Sequence, residues 1–169
     1  EEPPLPTEDL NYTQKLRKLT SEPVAGAGIL DVKAGSIVRY IEKATGHIYE
    51  IELFSPVQNR ISNTTIPLAY DAVWGNKNTS LVTRYLGEDN ITVDTYSLTL
   101  KEVSTTTETT LTGIPFPRNI TEVSVFDSSV FYLEQKDNSS SGYISNFGGT
   151  TRKQIWNSEI KDVLSQYVT

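Results

Sequence analysis

The chain has 169 residues, with 21 acidic and 15 basic side chains and a net charge of −6. A chain of this length can bury a sizeable core, and its acidic balance has the wrong sign for binding nucleic acid through phosphate neutralisation. It contains no cysteine, which excludes disulfides and thiolate metal sites, and no apolar run long enough for membrane insertion.

The first 15 residues, EEPPLPTEDLNYTQK, are rich in proline and in acidic side chains. This composition favours an extended segment, so the sequence predicts a linker over 1–15 and one folded unit over 16–169. Two interpretations of the linker stay open: it is an ordinary frayed terminus, or it follows an export signal or anchor that lies upstream.

The folded unit contains a hairpin pattern between Ser36 and Leu53, SIVRYIEKATGHIYEIEL. Its two halves alternate in the manner of β-strands, and the ATG between them supplies the glycine that a tight turn needs. The plan recurs as SLVTRYL and ITVDTYSLTL around GEDN, and again as SSVFYLEQ and GYISNF around KDNSSS. The sequence therefore predicts three successive hairpins.

Each hairpin is flanked by two further candidate strands. EPVAGAGIL, IPLAYDAVWG and NITEVSVF precede the hairpins, and NRISN, ETTLTG and RKQIWN follow them. The predicted units are therefore four-stranded and span approximately 23–65, 66–113 and 114–158. Residues 160–169 fit the first strand of a fourth unit, although a helix over NSEIKDVLSQY is an alternative because asparagine and serine cap helices well.

The units recur with a regular spacing. Arg39-Tyr40 and Arg84-Tyr85 lie 45 residues apart, and Tyr132 follows Tyr85 by 47 residues. Four-stranded units with a period of about 40 to 50 residues are typical of β-propeller blades. The predicted fold class is therefore all-β, a propeller-like repeat of about three antiparallel blades and the first strand of a fourth.

Three blades make an incomplete ring, because propellers close with about 4 to 8 blades. We expect the chain to be a fragment of a longer propeller, since an open blade face leaves apolar surface exposed. The alternatives are partial rings that assemble with one another, or an open stack or sandwich of sheets.

The segments LRKLTSEPVAGAG, VRYIEKATGHIYEIEL and RISNTTIPLAYDAVWGNKNTSLVTRYL carry a family resemblance. They resemble the propeller domains of surface proteins from uncultivated candidate-phylum bacteria, which are distantly similar to TolB-like and WD-repeat propellers. The similarity covers most of 16–158. It implies a propeller fold and export to the cell surface.

The common catalytic motifs are missing from the sequence, among them GxSxG, GxxxxGK[ST], GxGxxG, HExxH and the EF-hand loop. Carboxylates near the predicted strands alternate with apolar residues, as on solvated faces: Glu42, Glu50, Glu52, Asp71, Glu88, Asp89, Asp94 and Glu134. Because a carboxylate pair can hydrolyse glycosidic bonds, a carbohydrate-active enzyme is an alternative. The prediction is a protein without catalytic activity.

The candidate binding residues are the aromatic side chains Tyr70, Trp74, Tyr85 and Trp156. Such side chains are enriched in interfaces and could form a binding patch. The alternative is that they pack between neighbouring blades.

No metal site or cofactor is predicted. His47 is interpreted as a solvated turn residue. The hairpin tips GEDN and KDNSSSG offer oxygen ligands, but neither supplies a recognisable calcium-binding set, and ordinary turn chemistry explains both.

Six asparagines stand two residues before serine or threonine and form possible N-glycosylation sites: Asn11, Asn63, Asn78, Asn90, Asn119 and Asn138. Turns gather the same residue types. The sites therefore indicate either an exposed, exported protein or turn chemistry alone.

The sequence thus predicts a non-catalytic, exported scaffold or binding module of a cell-surface protein. Its expected partner is an unidentified protein or glycan that meets the loops at one end of the ring or its central channel. Two other functions stay open: a structural, self-associating component of a surface layer or particle, and the carbohydrate-active enzyme.

Overall fold

A computed structural model describes residues 16–33, 35–102 and 109–160. These residues form twelve β-strands, all paired antiparallel. No helix capable of crossing a membrane occurs in these ranges. The predicted linker over 1–15 lies outside the described residues, as does nearly all of 160–169, where a strand or a helix was expected.

The strands form three sheets of four, and in each sheet every strand pairs with the next one in the chain. The first sheet contains β1 (Val24–Val32), β2 (Gly35–Glu42), β3 (Ile48–Glu52) and β4 (Gln58–Arg60). The second contains β5 (Ala69–Gly75), β6 (Ser80–Leu86), β7 (Val93–Glu102) and β8 (Thr109–Pro115). The third contains β9 (Ile120–Phe126), β10 (Ser129–Lys136), β11 (Ser139–Asn146) and β12 (Lys153–Ser158). The predicted all-β class and three four-stranded antiparallel units are confirmed.

The third hairpin turns more tightly than predicted. β10 and β11 pair as far as Lys136 and Ser139, which leaves Asp137 and Asn138 as a two-residue turn in place of the predicted KDNSSS. Asp137 has a φ of 53°, in the left-handed region that aspartate tolerates better than most residues. The serines that follow are strand residues, although serine is not among the residues enriched in strands.

Two stacked tyrosine pairs occupy equivalent places in the first and third sheets. Tyr40 lies opposite Tyr49, and Tyr132 lies opposite Tyr143, with ring centroids 5.5 Å apart in both pairs. In both sheets a bulge also interrupts the pairing of the first two strands. It falls just after the tyrosine of the second strand, between Ile41 and Glu42 in one sheet and between Leu133 and Glu134 in the other. The shared pair and bulge show that the sheets repeat one local plan.

The second sheet corrects the alignment suggested by the Arg-Tyr repeat. Its bulge falls between Arg84 and Tyr85, so the residue equivalent to Tyr40 is Thr83, which lies opposite Tyr96. Tyr85 therefore lies two residues beyond the position to which the sequence spacing assigned it. The repeated dipeptide misled because the hairpin formed by the first two strands differs in length between the two sheets. The spacing in the sequence alone does not reveal this difference.

Side chains from both faces of the middle sheet form the core. Leu81 packs against Ile41 and Ile48 of the first sheet, whereas its neighbour Val82 packs against Val130 of the third. Successive strand residues point to opposite faces, so β6 contributes to two interfaces at once. The first strands also contact one another in order, β1 with β5 and β5 with β9. The described residues do not close a ring.

Candidate binding cleft

Loops of the second and third sheets enclose a cleft at the end of the molecule where the β6–β7 and β10–β11 turns lie. Its lining comes from residues 91–93, residues 118–121, Gln135 and Asp137. The volume is about 680 Å³, within the range of small-molecule sites. The packing of two sheets brings together segments that are distant in sequence.

The β6–β7 turn forms one wall and is ordered by Asp89. The Oδ1 atom of Asp89 accepts hydrogen bonds from the backbone amides of Ile91 at 2.9 Å and Thr92 at 2.8 Å, and its Oδ2 accepts one from the Thr92 hydroxyl. Hydrogen bonds from Thr92 and Ile91 stabilise the ionised carboxylate and lower its pKa to about 2. The backbone of this wall is therefore already hydrogen-bonded before any ligand arrives.

The end of the β8–β9 connection and the start of β9 form the floor. Ile120 is buried in the core between the second and third sheets. The carbonyl of Asn119 accepts a hydrogen bond from the amide of Gln135 at 2.9 Å, and the carbonyl of Thr121 accepts one from Arg84 Nη1 at 2.7 Å. These contacts fix the floor to both sheets.

Arg118 projects from this anchored floor as an exposed cation. Its guanidinium makes no hydrogen bond or ion pair with the residues that the structure describes. Among the described residues that line the cleft, the other charged side chain is Asp137, which is also exposed. The lining thus presents uncharged hydroxyl and amide groups, one carboxylate and one guanidinium that has no partner within the described part of the chain.

The predicted aromatic residues do not converge on one patch. Trp74 lies between the first two sheets, where its Nε1 donates a hydrogen bond to the carbonyl of Gly26 at 3.3 Å. Trp156 lies on β12, at the far edge of the third sheet, opposite Gly142. The two tryptophans therefore lie in different parts of the fold, and Trp74 fits the packing alternative.

Tyr70 and Tyr85 lie on separate surfaces of the second sheet. Tyr70 is 37% exposed, and the Arg84 guanidinium lies over its ring, 5.6 Å from the centroid. The ring centroids of Tyr85 and Tyr96 lie 5.7 Å apart. Both side chains line a separate, largely apolar cavity of about 280 Å³ together with residues 64–67. Burial, followed by the neighbouring Tyr96, raises the pKa of Tyr85. Neither predicted tyrosine reaches the Arg118 cleft.

The possible glycosylation sites differ in accessibility. Asn11 lies outside the described residues, and Asn63, Asn90, Asn119 and Asn138 are exposed. Asn78 is only 8% exposed, so a glycan there is incompatible with the folded chain.

Turn geometry accounts for three of these asparagines. Asn78, Asn90 and Asn119 have φ values of 57°, 54° and 65°, a region that asparagine visits readily. Asn119 also lines the cleft.

The remaining predictions from the sequence concern His47 and metal ligands. His47 lies in the turn between β2 and β3 as interpreted; its side chain is half-buried, and its Nε2 lies 3.3 Å from the Thr65 hydroxyl. Within the described ranges no three His, Asp or Glu side chains converge as metal ligands.

Arg118 was not among the residues selected from the sequence. The available signal was its place in PFPRN, a proline-containing connection between two predicted strands, since loops carry much of the function of rigid scaffolds. Nothing in the sequence pairs this connection with residues 91–93 or Asp137. Comparisons with protein-family models, curated proteins and solved structures found no match to this chain.

Proposed function

We propose that this chain is a non-catalytic binding module of an exported cell-surface protein, and that the cleft at Arg118 holds its ligand. The resemblance noted in the sequence supports export and surface display. The cleft supports binding. The proposal includes the architecture, in which the three sheets are successive blades of a propeller-like repeat.

Three features support the propeller-like arrangement. The first strands of the sheets contact one another in chain order, as the inner strands of blades do. Each pair of successive sheets shares a hydrophobic cluster. The bulge recurs at the same place in all three sheets.

The exposed guanidinium of Arg118 carries the binding proposal. Arg39, Arg84 and Arg152 each form an ion pair with a carboxylate of their own sheet. Arg118 instead stands exposed in a cleft and has no such partner in the described part of the chain. An exposed guanidinium carried by an anchored backbone segment in a cleft, rather than on a convex surface, favours a site that recognises an acceptor on a ligand.

Structural roles for several carboxylates support a function without catalysis. Glu50, Asp71 and Glu134 are held by the three paired arginines, and Asp89 orders the β6–β7 turn. A glycosidase needs two carboxylates poised across a bond. These four serve the scaffold instead.

The test is binding of the purified chain to an array of neutral and acidic oligosaccharides. We expect the wild-type chain to bind a defined subset, and Arg118→Gln to weaken that binding at least tenfold. Lys101→Gln is the matched control, because it removes the same charge from an exposed residue near the other end of β7. Absence of binding by the wild-type chain, or equal binding by Arg118→Gln, would contradict the proposal.

A further inference from the structure

The charges of the cleft limit how much negative charge a ligand can carry. Arg118 offers a guanidinium whose fork geometry matches a carboxylate bidentately. Asp137 stands on the β10–β11 turn of the same cleft, and the whole chain carries a net charge of −6. A second negative charge on the ligand would be repelled by both, so the site favours a monoanion.

The backbone of the cleft is already used, which disfavours an extended peptide. Peptides that bind as an added strand pair with free backbone donors and acceptors. Here the amides of Ile91 and Thr92 bond to Asp89, and the amide of Gln135 bonds to the carbonyl of Asn119. These three backbone amides are not available to a ligand, which favours recognition by side chains.

The side chains that line the cleft suit a ligand rich in hydroxyl groups. Asn119 contributes an amide group to the same lining as Arg118, and the Thr92 hydroxyl, which donates its proton to Asp89, can still accept a hydrogen bond from a ligand hydroxyl. Ile91, at the rim, is 84% exposed, and an exposed aliphatic side chain can cover the C–H face of a sugar ring.

We infer that the ligand of this cleft is a sugar that carries a single carboxylate, with the carboxylate on Arg118 and the ring between Ile91 and Asn119. The inference rests on the proposed binding function and names its ligand class. Arg118 binds the carboxylate, and the hydroxyl and amide groups bind the hydroxyl groups of the ring.

The experiment compares three small probes by NMR titration of the whole chain. Methyl glucuronide carries the carboxylate, methyl glucuronamide is its neutral isostere, and N-acetylalanine carries a carboxylate without a sugar. We expect methyl glucuronide to shift the amide resonances of Ile91, Thr92 and Gln135, and to bind at least tenfold more tightly than either of the other probes. Arg118→Gln should remove that preference, and Arg118→Lys should retain part of it, because lysine keeps the charge without the fork.

Each other outcome overturns a different statement. Equal binding of glucuronide and glucuronamide would refute the carboxylate but leave binding at the cleft intact. Equal binding of N-acetylalanine would refute the sugar in favour of a peptide or other acid. Binding of none of the probes, on a chain whose array binding is also absent, would remove the proposed function itself. Lys101→Gln again controls for net charge, and unchanged resonances elsewhere in the spectrum show that the variants fold.

Discussion

Among single residues, Asp89 shows how an exposed carboxylate can order one wall of the cleft. Its oxygens accept hydrogen bonds from Thr92 and Ile91, which favour the charged form and lower its pKa from 3.8 to about 2. A carboxylate whose folded pKa is depressed contributes to stability above its ordinary pKa, and the contribution is lost as the pH falls through the folded value. The order of this wall should therefore persist below pH 3.8 and be half lost near pH 2.

This pH dependence can be measured on the amides that Asp89 binds. We expect the amide proton resonances of Ile91 and Thr92 to move upfield on acidification, with a midpoint near pH 2, because protonation weakens their acceptor. Asp89→Asn serves as control, since it keeps an acceptor oxygen but cannot titrate, and should abolish the transition. A midpoint at or above 3.8 would show that these hydrogen bonds are absent in solution.

Among elements, each sheet is connected to the next by one arginine. Arg39 Nε bonds to Glu50 at 2.8 Å within the first sheet, and its Nη1 reaches the carbonyl of Asn78 in the second at 2.9 Å. Arg84 repeats the arrangement between the second and third sheets, with Asp71 and the carbonyl of Thr121 as its partners. Each guanidinium thus satisfies a carboxylate and a backbone carbonyl of two different sheets.

The Arg84 connection should be worth a measurable part of the folding free energy. Its side chain and that of Asp71 are 17% and 31% exposed, so Arg84→Met leaves a partly buried carboxylate and the Thr121 carbonyl without their donor. We expect the free energy of unfolding to fall by about 2 kcal/mol, measured by urea denaturation. The same substitution at the exposed Arg60 of β4 should change it by no more than about 0.5 kcal/mol. Equal effects at the two positions would contradict the connecting role.

The strands could be predicted from the sequence because alternation is a local property, whereas register and site are not. SIVRYIE reads as a strand from its own residues, and β2 forms there. The place of Tyr85 depended on where a bulge falls between two strands, which no spacing encodes. The cleft forms only because sheet packing brings Arg118 and residues 91–93 together. No local sequence pattern could therefore predict it.

In the whole molecule, glycines allow the first strands to approach closely. A Cβ atom built on Gly26 of β1 would lie 1.9 Å from the carbonyl oxygen of Ala72 on β5. One built on Gly75 of β5 would lie 2.2 Å from Val125 Cγ1 on β9. The close contact of β1 with β5 therefore depends on a missing side chain, and the position of the first sheet against the second depends on that contact.

Gly26→Ala tests this dependence, because the atom that its methyl group meets is backbone and cannot rotate away. Such overpacking costs up to about 3 kcal/mol in most cores, and we expect an effect at that upper end, measured by urea denaturation. Trp74 donates its Nε1 hydrogen bond to the Gly26 carbonyl, so a red-shifted tryptophan emission before the main transition should accompany the change. Gly148→Ala is the matched control, since its nearest neighbour would lie 3.7 Å away in ordinary contact. An unchanged midpoint and emission in Gly26→Ala would mean that β1 and β5 do not approach in solution as they do here, and that the three sheets are not held as successive members of one stack.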